Sequence, residues 1–349
     1  MMPWRVSIAA VVAATAVASA APAPEGRFAP KGRPGQRGDV SELLGTHFLY
    51  VAAIQEPGRN SGGLGATIVQ ADPALGAGDY HSLAEIAVES ADAKQIVEIG
   101  WTVDAGVNGD LQPHVFSYHW VDGQTTCYNG CGWVQVSTTK QPGMRVAPGE
   151  PHVYEIKLMN GDWWLFYDGE GLGYYPQSLW GGRFTAAGIV QWFGEVAAAA
   201  ESPCTQMGNG KLGADLASAS YDGLHLFDPG GASVPAAAQI GTISSPALYD
   251  IGRTTGTSFG FGGPGVTTGC CMPSACAAMH AECGTLADPT CAGNALSCGF
   301  CDGPDVCSPE HICIAPSDRG GCCGAGASGA GSLVLGALVA LGVRRRRRR

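Results

Sequence analysis

Charge is scarce in these 349 residues, where Asp, Glu, Lys and Arg together make up 14%. The net charge is −10, and six of the twenty basic residues form one terminal run, Arg344–Arg349. The rest of the chain is therefore more acidic still, which excludes a nucleic-acid partner. Histidine occurs eight times but never as HExxH or in a paired spacing, so a zinc peptidase lacks its ligands, and neither metal nor cofactor is expected. There is no G-x-S-x-G, and no nucleophilic-serine hydrolase is expected. The run "GFGGPGVTTG" (260–269) has no P-loop lysine and no preceding strand, so it is not a phosphate cradle. Sustained helical periodicity with caps is missing from residues 41–228, which argues against an α-helical fold.

What is present is organised in blocks. Arg5, the apolar run Ile8–Val17 and Ala18-Ser19-Ala20 form a secretory signal over residues 1–20, with cleavage expected after Ala20. Residues 21–44 are a linker or short pro-segment, rich in Pro, Gly and basic side chains up to Arg37. Residues 41–228 hold every tryptophan but Trp4, in short runs between Gly, Asn and Asp turns. Residues 229–269, rich in Gly, Ser, Ala and Thr, are expected to be a linker. Nine of the fourteen cysteines lie in 270–313. Gly324–Val343 is a 20-residue small and apolar stretch, long enough to cross a bilayer, and the arginines after it would stay on the cytoplasmic side.

The large block predicts an all-β fold, a curved antiparallel sandwich of jelly-roll type. "HVFSYHWV" (114–121), "CGWVQVST" (131–138), "HVYEIKLM" (152–159) and "DWWLFYDG" (162–169) alternate or run apolar with β-branched and aromatic enrichment. "NGD" (160–162) predicts a tight hairpin turn. "GTHFLYVAAI" (45–54) fits helix or strand, whereas "AEIAVES" (84–90) is expected to be a strand joined through a "SADAK" turn to "QIVEIGW" (95–101).

Side chains alternate across a strand, so each run divides into two faces. In "QIVEIGW", Val97, Ile99 and Trp101 share the core-like face and Glu98 lies on the other. In "IVQWFGEV" (189–196), Val190, Trp192 and Val196 share one face, while Gln191, Phe193 and Glu195 share the opposite one. Each strand sets a carboxylate among apolar neighbours on the face turned from its core set, as a cleft lined by a sheet would require. Alternation fits equally well two ordinary solvent-facing acids on half-exposed strands, and nothing in the periodicity brings Glu98 and Glu195 together.

"VEIGWTVD", "HVFSYHWVDGQTTCYNGCGWVQVS", "DWWLFYDGEGLGYYPQSLW", "IVQWFGEV" and "CTQMGNGKLGADLASASYDGLHLFD" resemble the neprosin domain in order and spacing over residues 45–228. That family is known as secreted prolyl endopeptidases of the glutamic type. The resemblance implies Glu98 and Glu195 as the catalytic pair and a polypeptide substrate containing proline. Facing carboxyls of that kind would share a proton at acid pH, the ionised one activating a water and the protonated one protonating the leaving amine. Phe193 departs from the family's "GGEV"-like strand, where a glycine is expected, and would narrow the site. Gln191 is a candidate oxyanion donor, and Trp164, Tyr174 and Tyr175 are candidates for a proline pocket. A non-catalytic sandwich binding carbohydrate or a surface polymer through its aromatic residues is the alternative.

The cysteines predict an oxidising compartment. Cys127 and Cys131 can close a small loop, and the eight from Cys271 onward allow four bridges in a small module resembling those appended to secreted bacterial hydrolases. Cys204 and Cys270 are left over and are predicted to bridge. Finally, "GGCCGAGASGAGSLVLGALVALGVRRRRRR" (320–349) resembles the sorting tails of myxobacterial surface proteins. The resemblance implies processing at Cys322 or Cys323 by a sorting peptidase, contact with the membrane during export, and a cell-surface or extracellular location.

Overall fold

A computed structural model of the chain describes residues 41–43, 45–55, 60–272, 276–291, 295–301 and 304–316. Two antiparallel sheets face one another. The first has eight strands. Its path runs from Ser41–Leu43 through Thr46–Gln55, Ile189–Ala198, His81–Glu89, Ile96–Val103 and His114–Val121 to Gln124–Thr125. Ile240–Ile243 pairs beside Thr46–Gln55. The second sheet has nine strands and is built around Ala219–Phe227, Gly63–Val69, Pro151–Met159, Asp162–Tyr167 and Glu170–Tyr175.

Alternation explains how each strand is used. Val97, Ile99 and Trp101 face the space between the sheets, with Val190, Trp192 and Val196 from the neighbouring segment. Tyr154, Ile156, Trp163 and Leu165 meet them from the second sheet. Two of the indoles are hydrogen-bonded across the core: Trp192 Nε1 donates to the Gly65 carbonyl at 3.1 Å and Trp163 Nε1 to that of Phe184 at 3.0 Å. An unpaired indole N–H in such a core would cost about 1–3 kcal/mol.

The tight turn after Met159 forms as expected, with Asn160 and Gly161 both at positive φ (54° and 91°) between the paired residues Met159 and Asp162. Segment 45–54, which fits either helix or strand by sequence, is strand. Among the described residues α-helix is confined to one turn, Ala105–Asn108. "CGWVQVST" contributes only the two-residue strand Val134–Gln135.

Residues 229–269 are not a linker. They supply Ser233–Pro235, Ile240–Ile243, Asp250–Thr255 and Ser258–Gly262 to the two sheets and bury Tyr249, Phe259 and Phe261. Their glycines serve close backbone packing rather than flexibility. A Cβ on Gly260 would sit 2.4 Å from the Gly213 carbonyl oxygen, and one on Gly263 would sit 2.0 Å from that of Leu248. The sandwich therefore extends past residue 228.

The cysteine-rich segment follows as two small hairpins, Thr285–Ala287 with Ala295–Ser297 and Val306–Cys307 with Cys313–Ile314. Bridges 271–291, 276–298, 283–307 and 301–313 hold it. Cys127 is bonded to Cys131 and Cys204 to Cys270. No helix among the described residues is long and apolar enough to cross a membrane. The signal over 1–20, the span Gly324–Val343 and the cysteines Cys322 and Cys323 lie outside the described residues.

Candidate active site

The first sheet has a second face, turned away from the sandwich core, and it is unusual in being both apolar and acidic. Phe48, Tyr50, Leu83, Phe116, Tyr118, Trp120 and Phe193 form a cluster there, joined by Val107 from the helical turn and by Tyr128. Strand parity sets Glu85, Glu98, Gln191 and Glu195 on this same face, and all four are buried to within 1%. Glu98 and Glu195, separated by 97 positions in the chain, thus belong to one surface.

Register defines how they are arranged. Gln191, Ala87, Glu98 and Tyr118 stand in one row across four adjacent strands. Phe193, Glu85, Gly100 and Phe116 form the next row. Glu195, Leu83 and Thr102 form the third, with Tyr50 beside Glu195 on its other flank. Glu98 and Glu195 are therefore two strands and two rows apart, and Glu85 occupies the position between them. Glu85 pairs with Phe193, two residues from Glu195, and with Gly100, two residues from Glu98. Diagonal neighbours on a sheet face lie about 7–8 Å apart. Glu195, Glu85 and Glu98 thus form a diagonal line of three carboxyls. Glu85 went unnoticed in the sequence because alternation alone does not say which strand lies between which.

A second group missed by sequence lies at the Glu195 end. His81 is wholly buried, its Nε2 2.7 Å from Glu195 Oε1 and its Nδ1 3.5 Å from Asp104 Oδ2. Burial works against a charge on this ring, but Asp104 and then Glu195 outweigh it and raise the His81 pKa. Asp104 itself caps the helical turn, where its Oδ1 accepts the N–H groups of Gly106 and Val107 at 2.8 and 3.1 Å. The "WTVDAG" stretch holds the signal in retrospect, since an Asp directly before a short turn is an N-cap residue.

The phenols on this face report the clustered acid. Burial, followed by the charges of Glu195, Glu85 and Glu98, pushes Tyr50 well above its ordinary value. Tyr128 rises likewise through burial, followed by Asp104 and Glu195. Both are neutral O–H groups at any pH where a peptide would be bound.

The expected proline pocket is not here. Trp164 and Tyr174 stack on each other at 4.8 Å on the outer face of the second sheet, on the far side of the sandwich from both acids. Tyr175 points into the inter-sheet core, its hydroxyl 3.0 Å from Ser117 Oγ. The three occur close together in sequence, but neighbouring strand positions point to opposite faces. The aromatic side chains beside the carboxyls are instead Tyr50, Phe116, Tyr118, Trp120, Tyr128 and Phe193, with Tyr118 against Tyr128 at 4.8 Å.

A family model described as Neprosin matches residues 78–264, more than half of the chain. The chain belongs to the Neprosin family. Membership supports a peptidase-type hydrolase, and the matched span extends through the glycine-rich strands to the end of the sandwich. Among solved structures, the chain is similar to a β-glucanase of Bacillus licheniformis at 13% identity, covering 47% of this chain and 72% of that one, with a TM-score of 0.29. It is also similar to a glycoside hydrolase family 16 endo-glucanase from Bacteroides ovatus (11% identity; 46% and 70% covered; TM-score 0.28). A carbohydrate-binding module, CBM66 from Bacillus subtilis, matches at 11% identity over 46% of this chain and 87% of that one, with a TM-score of 0.24. Likeness at that level carries no argument about activity.

Proposed function

We propose that this member of the Neprosin family is an exported glutamic endopeptidase that cleaves proline-containing polypeptides at acid pH. The observation that carries this is the placement of Glu98 and Glu195 on one buried, aromatic-lined sheet face. In the proposed reaction one glutamate, ionised, takes a proton from a water, and the oxygen attacks the scissile carbonyl carbon. The other, protonated, delivers its proton to the departing amine, so atoms and charge balance without a covalent intermediate. Gln191, on the same face, is suited to donate to the developing oxyanion, a role worth roughly 3–4 kcal/mol in other hydrolases. The aromatic side chains around Tyr118 and Phe193 offer proline a rigid apolar wall.

Both acids are wholly buried, so a peptide reaches them only once this face is opened. Segment 21–40 sets Arg27, Lys31, Arg33 and Arg37 against Glu25 and Asp39, among four prolines. That charge complements the acidic face, and we assign the segment as a short pro-segment. The terminal pattern of residues 320–349 supports retention at the cell surface, with Cys322 or Cys323 as the processing site.

The deciding experiment measures cleavage of proline-containing peptides across pH by the secreted chain, by Glu98→Gln and by Glu195→Gln. A loss of at least about a hundredfold in each variant is expected for groups that transfer protons in the transition state. Equal rates in all three would sink the assignment. In the same assay, the chain beginning at residue 41 should outpace the chain beginning at 21.

A further inference from the structure

Two carboxyls can divide the work of water activation and leaving-group protonation in two ways, and the sequence is symmetric between them. The surroundings of Glu195 and Glu98 are not. Among the described residues, Glu195 faces a histidine, and that histidine faces a further carboxylate. His81 sits on the strand next to Glu195, diagonal to it in register through the His81–Ala197 pair. Its Nε2 lies 2.7 Å from Glu195 Oε1, and its Nδ1 lies 3.5 Å from Asp104 Oδ2.

Each ring nitrogen thus meets a carboxylate oxygen. Only the Nε2 contact with Glu195 is a hydrogen bond, and Nδ1 faces Asp104 at the longer distance of an ion pair. A neutral imidazole carries no charge for Asp104 to attract, whereas the imidazolium donates to Glu195 and is attracted by both carboxylates. Asp104 cannot turn away, because its Oδ1 is committed to the Gly106 and Val107 N–H groups of the helical turn. The order Asp104–His81–Glu195 is therefore anchored at its outer end by backbone and ends at a catalytic candidate.

Accepting a hydrogen bond from a charged donor favours the ionised form of a carboxyl. We infer that His81 is a positioning residue that holds Glu195 as the carboxylate and so makes it the general base, leaving Glu98 as the general acid. The inference rests on the peptidase assignment above and deepens it. Glu85, diagonal to both acids, and the phenols Tyr50 and Tyr128 are further ionisable groups near Glu195. Glu85 opposes a second negative charge at Glu195, whereas His81 offsets it.

His81 does not touch substrate in this scheme, so its signature is a change in pH dependence rather than a uniform loss of rate. In His81→Gln, Glu195 loses its charged donor and binds its proton more tightly. The acid limb of kcat/KM should move to higher pH by about one unit or more, the size expected for losing a hydrogen bond to a charged group. The deficit should be greatest, roughly tenfold or more, at the acid end and should shrink toward neutrality. Asp104→Asn is the second variant, because Asn also caps helices and leaves His81 in place. It should shift the limb in the same direction by less. A pH-independent loss in both variants would mark His81 as merely structural and overturn the inference.

A titration of the His81 ring by NMR separates this from failure of the peptidase assignment. Its pKa should fall in Glu195→Gln whether or not the chain cleaves peptides, and an unchanged value would refute the link. Should wild type prove inactive while the ring titration responds to Glu195→Gln, the peptidase assignment alone has failed.

Discussion

Single residues decide how this face differs from an ordinary sheet surface. Phe193 stands where the family pattern expects glycine, and its ring is fully buried opposite Glu85, edge-on to Tyr50 at 6.1 Å between centroids. Its neighbour Gly194 points the other way, where a Cβ would come within 2.9 Å of Met207 Sδ and of the Phe261 ring. The two positions of the motif therefore have different physical reasons, one on the site face and one in the core. Phe193→Gly should open space beside Glu85 and broaden the range of residues accepted next to the cleaved bond. Profiling cleavage of a peptide library should show this broadening, and an unchanged profile would remove Phe193 from the pocket wall.

At the scale of elements, the strand that separates the two acids is as important as the strands that carry them. His81–Glu89 contributes His81 at one end and Glu85 at its centre, while Tyr221 donates from the second sheet to the carbonyls of Glu85 and Phe193 at 3.1 and 2.6 Å. That phenol ties the middle of the site to the opposite layer. The bridge Cys204–Cys270 does similar work at longer range, its ends 66 positions apart in the chain. Closing a loop of that length is worth about 4 kcal/mol on chain entropy. Replacing both cysteines with serine should lower the unfolding midpoint by several degrees in non-reducing buffer, and an unchanged midpoint would show that the strand pairing of 240–262 suffices alone.

Over the whole molecule, two histidines pull stability in opposite directions with pH. His119 lies in the core against Tyr175, at 4.4 Å between rings, and burial lowers its pKa to about 4. The unfolded chain, with an ordinary value of about 6.5, binds the proton first. Stability from this residue is thus full above about 6.5 and is lost as the pH falls toward 4, by up to roughly 3 kcal/mol. His81 has the opposite sign. Its raised pKa adds stability below the ordinary value, and that contribution disappears as pH rises through its folded value. His119→Gln should therefore flatten the fall in melting temperature between pH 6.5 and 4, whereas His81→Gln should remove a loss of stability that the parent shows as the pH rises above about 6.5. Calorimetric scans across the two ranges would read both, and parallel curves for the three proteins would contradict the assignment.

The sequence by itself determined the all-β class, the two faces of the strands that carry the acids, and the family. Alternation is local, so "QIVEIGW" and "IVQWFGEV" already separate Glu98 and Glu195 from their core-facing neighbours. Tertiary structure decided everything that depends on which strands adjoin. Pairing between distant segments inserted Glu85 between the two acids, brought His81 and Asp104 to Glu195, and sent Trp164 and Tyr174 to the far side of the sandwich. It also made strands of the glycine-rich segment 229–269, because a residue without Cβ is needed where backbones nearly touch, and composition alone reads that need as looseness. Register is a property of partners, and no single strand carries the identity of its partner.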